Sequence, residues 1–325
     1  MAGTAAQPCG NRSLYVLTML LLGILGAAAI VCAAEMLLEN TRMLAVSAYR
    51  LPPPDGQTQK NRRIVQISDL HHKRFGMHQY RLIAEVQKLS PDYIVITGDL
   101  VSRDMTDFAE TADLLSALRK IAPIVMSLGN HELDLPEAVF RDLMALLRRM
   151  DVVVLDDAWK EIDGMRFAGL TLTPRHYKNG DSYRGLSDCT EADIRHILGE
   201  AKTGTILLAH NPLFFAAYAE WGAAVVLSGH VHGGVIRLPL AGGLLSPERK
   251  FFPKYDKGFF RAANGAMMVV SGGLGKLRLW NPPELCVMDF AADGQEIPHF
   301  PRNLYKNHRR IFRHSTGNAK DMADA

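Results

Sequence analysis

Ile64-Val65-Gln66-Ile67-Ser68-Asp69-Leu70-His71-His72 decides the reading of this chain. It opens as an apolar run of the kind a buried strand shows and breaks into polar, metal-seeking side chains. In an extended segment, residues two apart leave the same face, so Asp69 and His71 are expected side by side at a strand end. A lone D-x-H is common by chance. Its weight comes from repetition downstream, each time after an apolar run: Gly98-Asp99, Gly129-Asn130-His131-Glu132, Ala209-His210-Asn211 and Gly229-His230-Val231-His232-Gly233-Gly234.

Around these motifs, strand-like and helix-like periods alternate. Residues 64–68, 93–97, 124–128 and 152–155 read as strands. Helical spacing separates them over 77–89, 108–120 and from Pro136 to about Arg149. Asp163-Gly164 between two short segments, 159–162 and 165–170, signals a hairpin. Residues 191–200 and 213–221 read as helices, and 205–209, 225–228, 266–271 and 285–290 as strands. This order predicts an α/β fold whose sheets, parallel at first and then mixed, are covered by helices. Candidate functional residues gather at the carboxyl ends of strands in such folds, and all of these motifs obey that rule.

Composition bounds the partners. A net charge of +3 over 325 residues, dispersed along the chain, argues against nucleic acid as a partner. Cys9 and Cys32 lie near the amino terminus, and Cys189 and Cys286 lack a C-x-x-C or disulfide framework, so two buried thiols are expected. Residues 14–34 carry no charge, and as a helix they span roughly 30 Å, the thickness of a bilayer core. Val31-Cys32-Ala33 offers a cleavage site of signal-peptide type, but the run exceeds a signal core. The reading is an uncleaved, single-pass anchor in the cell membrane. Arg12 on one side and Arg42 and Arg50 on the other leave its orientation open. The expected organisation is a tail over 1–13, an anchor over 14–38, a linker over 39–61, a catalytic domain over 62–300 and a basic tail over 301–325.

The ordered set D-x-H, G-D, G-N-H-E, A-H-N-P and G-H-x-H-G-G resembles the calcineurin-like metallophosphoesterases, over residues 62–290. Arg237-Leu238-Pro239, Ser271-Gly272-Gly273-Leu274-Gly275 and Asn281-Pro282-Pro283-Glu284 further resemble the bacterial membrane-associated branch of the YkuE and LpxG type. The resemblance implies a four-layer αββα sandwich of two mixed sheets flanked by helices. Ser102 departs from the phosphoprotein-phosphatase branch, which carries Asp there, and so argues against a phosphoprotein substrate.

Two carboxylates, one amide and four imidazoles are too many ligands for one tetrahedral zinc but suit two adjacent metals sharing a carboxylate. By resemblance, Asp69, His71 and His232 hold one divalent ion and Asn130, His210 and His230 the other, with Asp99 bridging. The absence of thiolate argues against a structural zinc or iron–sulfur site; manganese is favoured, and iron or zinc stay open. The resemblance also implies a metal-bridging hydroxide as nucleophile and His131 as the acid that protonates the leaving oxygen. His131 is expected to point away from the metal its neighbour binds, Glu132 to orient other groups, and His72 to pack or face solvent. The expected activity is hydrolysis of a phosphodiester, phosphomonoester or pyrophosphate, on a phosphorylated small-molecule or lipid-linked substrate. A catalytically lapsed binding scaffold at the membrane is the alternative, but such a chain should lack ligands that this one keeps.

Three further stretches stay open. Residues 174–187 form a basic-aromatic loop that can clasp a phosphate or stand as a solvated insertion. Residues 238–260 mix apolar and cationic side chains, suiting a lipid surface or a packed hairpin. Residues 302–313 form a basic segment that suits anionic lipid or solvent.

Overall fold

The computed structural model describes residues 10–54, 61–180, 182–183, 185–234, 236–238, 241–246, 251–276 and 278–291. The basic tail and the domain end expected at residue 300 lie outside them. In chain order the helices are α1 (Gly10–Thr41), α2 (Tyr80–Leu89), α3 (Ala109–Arg119), α4 (Asn130–Leu133), α5 (Glu137–Arg149), α6 (Glu191–Leu198) and α7 (Phe215–Trp221). The strands are β1 (Ala45–Leu51), β2 (Arg62–Ile67), β3 (Tyr93–Thr97), β4 (Ile124–Ser127), β5 (Val152–Val154), β6 (Ala158–Ile162), β7 (Met165–Leu170), β8 (Ile206–Ala209) and β9 (Val225–Ser228). They continue with β10 (Arg237–Leu238), β11 (Gly242–Gly243), β12 (Gly258–Arg261), β13 (Met267–Val270) and β14 (Glu284–Phe290).

Two six-stranded sheets form, in the orders β1-β14-β2-β3-β4-β5 and β12-β13-β9-β8-β7-β6. Parallel pairing runs through β2, β3, β4 and β5, and β14 enters the first sheet antiparallel to β2. The second sheet is parallel through β13, β9, β8 and β7, with antiparallel β12 and β6 at its edges. Asp163 and Gly164 both take positive φ, 47° and 80°, and close the β6–β7 hairpin as the sequence predicts.

Three apolar clusters define the layers. Val95, Val125, Phe167, Leu208, Leu227 and Met288 lie between the sheets. Leu82, Val86, Leu114, Leu118, Leu143 and Leu147 hold α2, α3 and α5 on the outside of the first sheet. Ile194, Leu198, Tyr218 and Trp221 hold α6 and α7 on the outside of the second. The central strands face an apolar layer on both sides, which is why they read as unbroken apolar runs. The result is the four-layer αββα sandwich with mixed sheets. Cys189 and Cys286 are buried, unpaired and in different clusters.

The amino-terminal boundary differs from expectation. Residues 39–61 are not a linker throughout: α1 runs to Thr41, and β1 pairs in parallel with β14 along the edge of the first sheet. Only residues 42–44 separate the two elements. Ala-Val-Ser-Ala-Tyr-Arg-Leu alternates weakly, and its pairing partner lies at the far end of the chain, so nothing local marks it as a strand. Residues 14–41 are long and apolar enough to cross a membrane, and their most apolar stretch is not buried against the domain.

Candidate metal centre

Every candidate residue emerges within a few positions of a strand end: Asp69 after β2, Asp99 after β3, Asn130 at the start of α4 after β4, His210 after β8, and His230 and His232 after β9. The two sheets present these ends to one another, and two clusters converge. Asp69, His71 and His232 offer ligand atoms within 4.8 Å of one another, and so do Asp99, His210 and His230. Asp99 also groups with His71 and His131, so its carboxylate stands between the two clusters. Its Oδ2 is 3.3 Å from His210 Nε2, 3.8 Å from His71 Nε2 and 4.0 Å from His131 Nε2.

The convergence of Asp69 and His71 has a cause other than strand alternation. β2 ends at Ile67, and both residues adopt left-handed backbone, with φ of 52° and 51°. Asp99, His230 and His232 do the same, at 52°, 68° and 53°. Non-glycine residues take this conformation rarely, and the surroundings must over-determine it. The Asp69 amide donates to the Gly98 carbonyl and the His71 amide to the Asp99 carbonyl, each at 3.2 Å. The Asp69 carboxylate accepts from the His230 amide at 3.1 and 3.2 Å and from Ser68 Oγ at 2.6 Å. Gly229 permits this closeness: a Cβ there would lie 2.0 Å from Ser68 Oγ and 2.5 Å from Asp69 Oδ2.

Among the described residues, Asn130 Oδ1 and His71 Nδ1 are buried with no hydrogen-bond partner, and His210 Nε2 has the Asp99 carboxylate beside it at 3.3 Å. Buried polar atoms are rarely left so, and a coordinated ion is one partner that satisfies them. His210 Nδ1 donates to the Thr97 carbonyl at 2.6 Å, which directs Nε2 towards the carboxylates. Burial opposes charge on His210, yet the carboxylates of Asp99 and Asp69 and the Thr97 carbonyl raise its pKa to about 10. Burial likewise pulls Asp99 upward, but His210, His131 and His71 outweigh it and hold the carboxyl well below its usual range. A ring that keeps its proton only through adjacent carboxylates is one whose proton a cation displaces. The donor set, all nitrogen and oxygen, therefore fits two adjacent divalent ions.

His131 lies on the His71 side of Asp99, grouped with those two residues and not with His210 and His230. It sits on α4 rather than on a strand, and its ring lies 4.4 Å from that of His71, edge to face. The Arg103 amide donates to its Nδ1 at 3.2 Å, so Nε2 carries the proton of the neutral ring. Burial lowers its pKa to about 4. Glu132 is an organiser: Oε2 accepts from the Asp99 and Gly129 amides and Oε1 from the Val101 amide. Burial first, then the charge of Asp99, raises it to about 7. His72 faces solvent and bonds Asp104 at 2.8 Å.

Two contributors lie outside the expected ligand set. Tyr177, in the basic-aromatic loop, is buried with its ring 4.9 Å from His230 and 6.0 Å from His210. An aromatic among polar residues is its only signal in the sequence. Asn281 donates to the His232 carbonyl at 2.7 Å, reaching the centre from beyond the last histidine motif.

Comparison with known proteins agrees with this geometry. Residues 62–234 match the family model described as calcineurin-like phosphoesterase. An uncharacterized metallophosphoesterase of Campylobacter jejuni is 29% identical over 245 residues, covering 71% of this chain, which spans 59% of that protein's length. Phosphodiesterase YaeI of Escherichia coli is 28% identical over 242 residues, covering 70% of this chain and 81% of its own. The UDP-2,3-diacylglucosamine pyrophosphatase LpxG of Chlamydia trachomatis is 27% identical over 273 residues, covering 70% and 82%. The expected resemblance to the LpxG-type branch is thus met among its relatives. Matched over more than half its length, with the family's sandwich and a cluster of nitrogen and oxygen donors at the strand ends, the chain belongs to the calcineurin-like phosphoesterases.

Proposed function

We propose that the chain is a membrane-anchored, dinuclear metal-dependent phosphoesterase, acting on a phosphodiester, phosphomonoester or pyrophosphate. One observation carries this reading: Asp99 stands between two converging clusters of imidazole and carboxylate, amid buried donor atoms that lack partners. Asp69, His71 and His232 hold one ion, Asn130, His210 and His230 the other, and Asp99 serves both. When bound, two divalent ions, manganese foremost, polarise phosphoryl oxygens and bring the pKa of water towards neutrality.

The chain's own groups do the rest. Glu132 fixes the Asp99 loop through three backbone amides, so the shared carboxylate is held before substrate arrives. His131 presents Nε2–H towards the reacting group, with its tautomer set by Arg103. An anionic phosphoryl group beside the ring favours the imidazolium, which can pass its Nε2 proton to the leaving oxygen. Helix α1 supports membrane attachment. The pyrophosphatase named among the relatives and the apolar anchor support a lipid-linked substrate within this class.

The test compares His131→Ala with the parent on two leaving groups. An alkyl phosphodiester should lose about 10²- to 10⁴-fold in rate, and a nitrophenyl ester much less, with metal content unchanged. Equal losses on both substrates would refute the proton-donor role. A screen of the parent against monoesters, diesters and pyrophosphates identifies the substrate class, and absence of any metal-dependent turnover would indicate a binding scaffold.

A further inference from the structure

The carboxyl end of α1 is not free. A helix leaves its last carbonyls unsatisfied and its terminus partially negative, so it is stabilised by cations there. Here the domain supplies them. Lys73 Nζ donates to the Asn40 carbonyl, Arg81 Nη1 to the Thr41 carbonyl at 3.2 Å, and Arg81 Nη2 to the Arg42 carbonyl. Asn40 Nδ2 in turn donates to the Arg278 carbonyl at 3.2 Å, and the Glu39 carboxylate faces the backbone of Trp280 and Asn281. Glu39, Lys73 and Arg278 are each at most 3% exposed, so this junction buries charge of both signs.

The segments that grip the helix are those that carry one ligand cluster. Lys73 follows His71 by two residues. Arg278 Nε donates to the Gly275 carbonyl at 2.7 Å and Nη1 to the His232 carbonyl at 3.4 Å. Gly275 packs so closely that a Cβ there would lie 3.2 Å from the Asp69 carbonyl oxygen, 3.4 Å from the His71 ring and 3.6 Å from the His232 ring. Asn281, beside Glu39, holds the His232 carbonyl. The other cluster is braced differently: Glu132 binds the Asp99 amide and the Thr97 carbonyl binds His210.

We propose that the last turn of α1, residues 39–41, is a positioning element of the Asp69/His71/His232 cluster, so that the metal held there depends on the seated anchor while its neighbour does not. The proposal rests on the two-metal reading above. Losing the Glu39 and Asn40 side chains removes the carboxylate that faces the Trp280 and Asn281 backbone and the amide bonded to the Arg278 carbonyl, and so frees the segment that carries Arg278 and Asn281. That segment braces the His232 carbonyl. The anchor is then part of the site's scaffold as well as an attachment.

The test uses the full chain in detergent, loaded with Mn²⁺, comparing the parent with Glu39→Ala/Asn40→Ala and with Asn40→Ala alone. Bound metal is measured against graded chelator, with electron paramagnetic resonance reporting whether two Mn²⁺ ions are spin-coupled. The expected result is a loss of affinity for one ion of at least about 10-fold, equivalent to 1.4 kcal/mol. The second ion should stay at parental affinity, and the coupled signal should give way to that of an isolated ion. The metal-free variants should still unfold in one cooperative transition, and confinement of the affinity loss to one ion separates positioning from general destabilisation. Should the double variant fail to fold, the single variant carries the same comparison with a smaller shift. Two ions held at parental affinity, or both weakened together, would overturn the proposal. A parent chain that binds fewer than two ions overturns the two-metal reading, and the proposal with it.

Discussion

Glu132 Oε2 accepts the backbone amide of Asp99 at 2.8 Å, so one buried carboxylate orients another without contacting it through a side-chain donor. The same oxygen takes the Gly129 amide, tying the ends of β3 and β4 together just before Asn130. Glu132→Gln keeps the shape but puts an amide NH₂ where an acceptor stood. At least one buried N–H then loses its partner, at about 1–3 kcal/mol. Urea unfolding of the metal-free variant should show that loss, and an unchanged midpoint would remove Glu132 from its organising role.

Asp99→Asn should reduce turnover more than substitution of any other candidate ligand. Its carboxylate lies within reach of His71, His131 and His210 together. The change also removes one negative charge from between two cations. Elemental analysis should find fewer than two metals per chain; two metals and a near-parental rate would refute the shared-ligand assignment.

The pH dependence of metal-free stability follows from His131. Burial lowers its pKa from 6.5 to about 4. Between those values the unfolded chain binds more protons than the folded one, so this ring's contribution is present above pH 6.5 and is lost as pH falls towards 4. The loss is on the order of 3 kcal/mol over that window. His131→Gln should make the acid limb of the stability profile shallower between pH 6.5 and 4. His232, lowered to about 3 with burial as the largest cause, has the same sign and should retain part of the slope. Superimposable profiles would show that the ring is already charged in the folded state.

Gly229→Ala tests how tightly the two sheet ends are joined. The added methyl must displace Ser68 Oγ or the Asp69 carboxylate, which also accepts the His230 amide. Overpacking of this kind costs about 1–3 kcal/mol. Stability should fall, and metal affinity with it, because Asp69 moves. Retention of both would mean that the β2 and β9 loops are looser than their contacts indicate.

Much of the centre is legible in the chain itself, for identifiable reasons. His210, His230 and His232 follow apolar runs, and strand ends in an α/β sandwich are where polar groups can gather. What escapes is long-range. Asp69 and His71 converge through left-handed backbone, which no glycine at those positions announces; it is imposed by the Gly98 and Asp99 carbonyls and by the His230 amide. Tyr177 reaches the centre from a loop without a motif, and Asn281 from a stretch whose resemblance to the branch carries no stated role. Strand β1 is hidden because its partner is nearly the whole chain away.

That last pairing bears on how the protein is made. β14 lies between β1 and β2, with Ala45 opposite Glu284 and Cys286 opposite Gln66. The strand next to the anchor therefore cannot dock until residues 284–290 have left the ribosome. At usual synthesis rates that is on the order of ten to fifty seconds after β1 itself emerges. Throughout that interval the first sheet lacks the strand that joins β1 to β2, although the apolar helix has already been made. The apolar helix is thus complete well before the sandwich can close, and a chain stalled before residue 284 would present the β2 edge unpaired, the kind of surface that chaperones must cover.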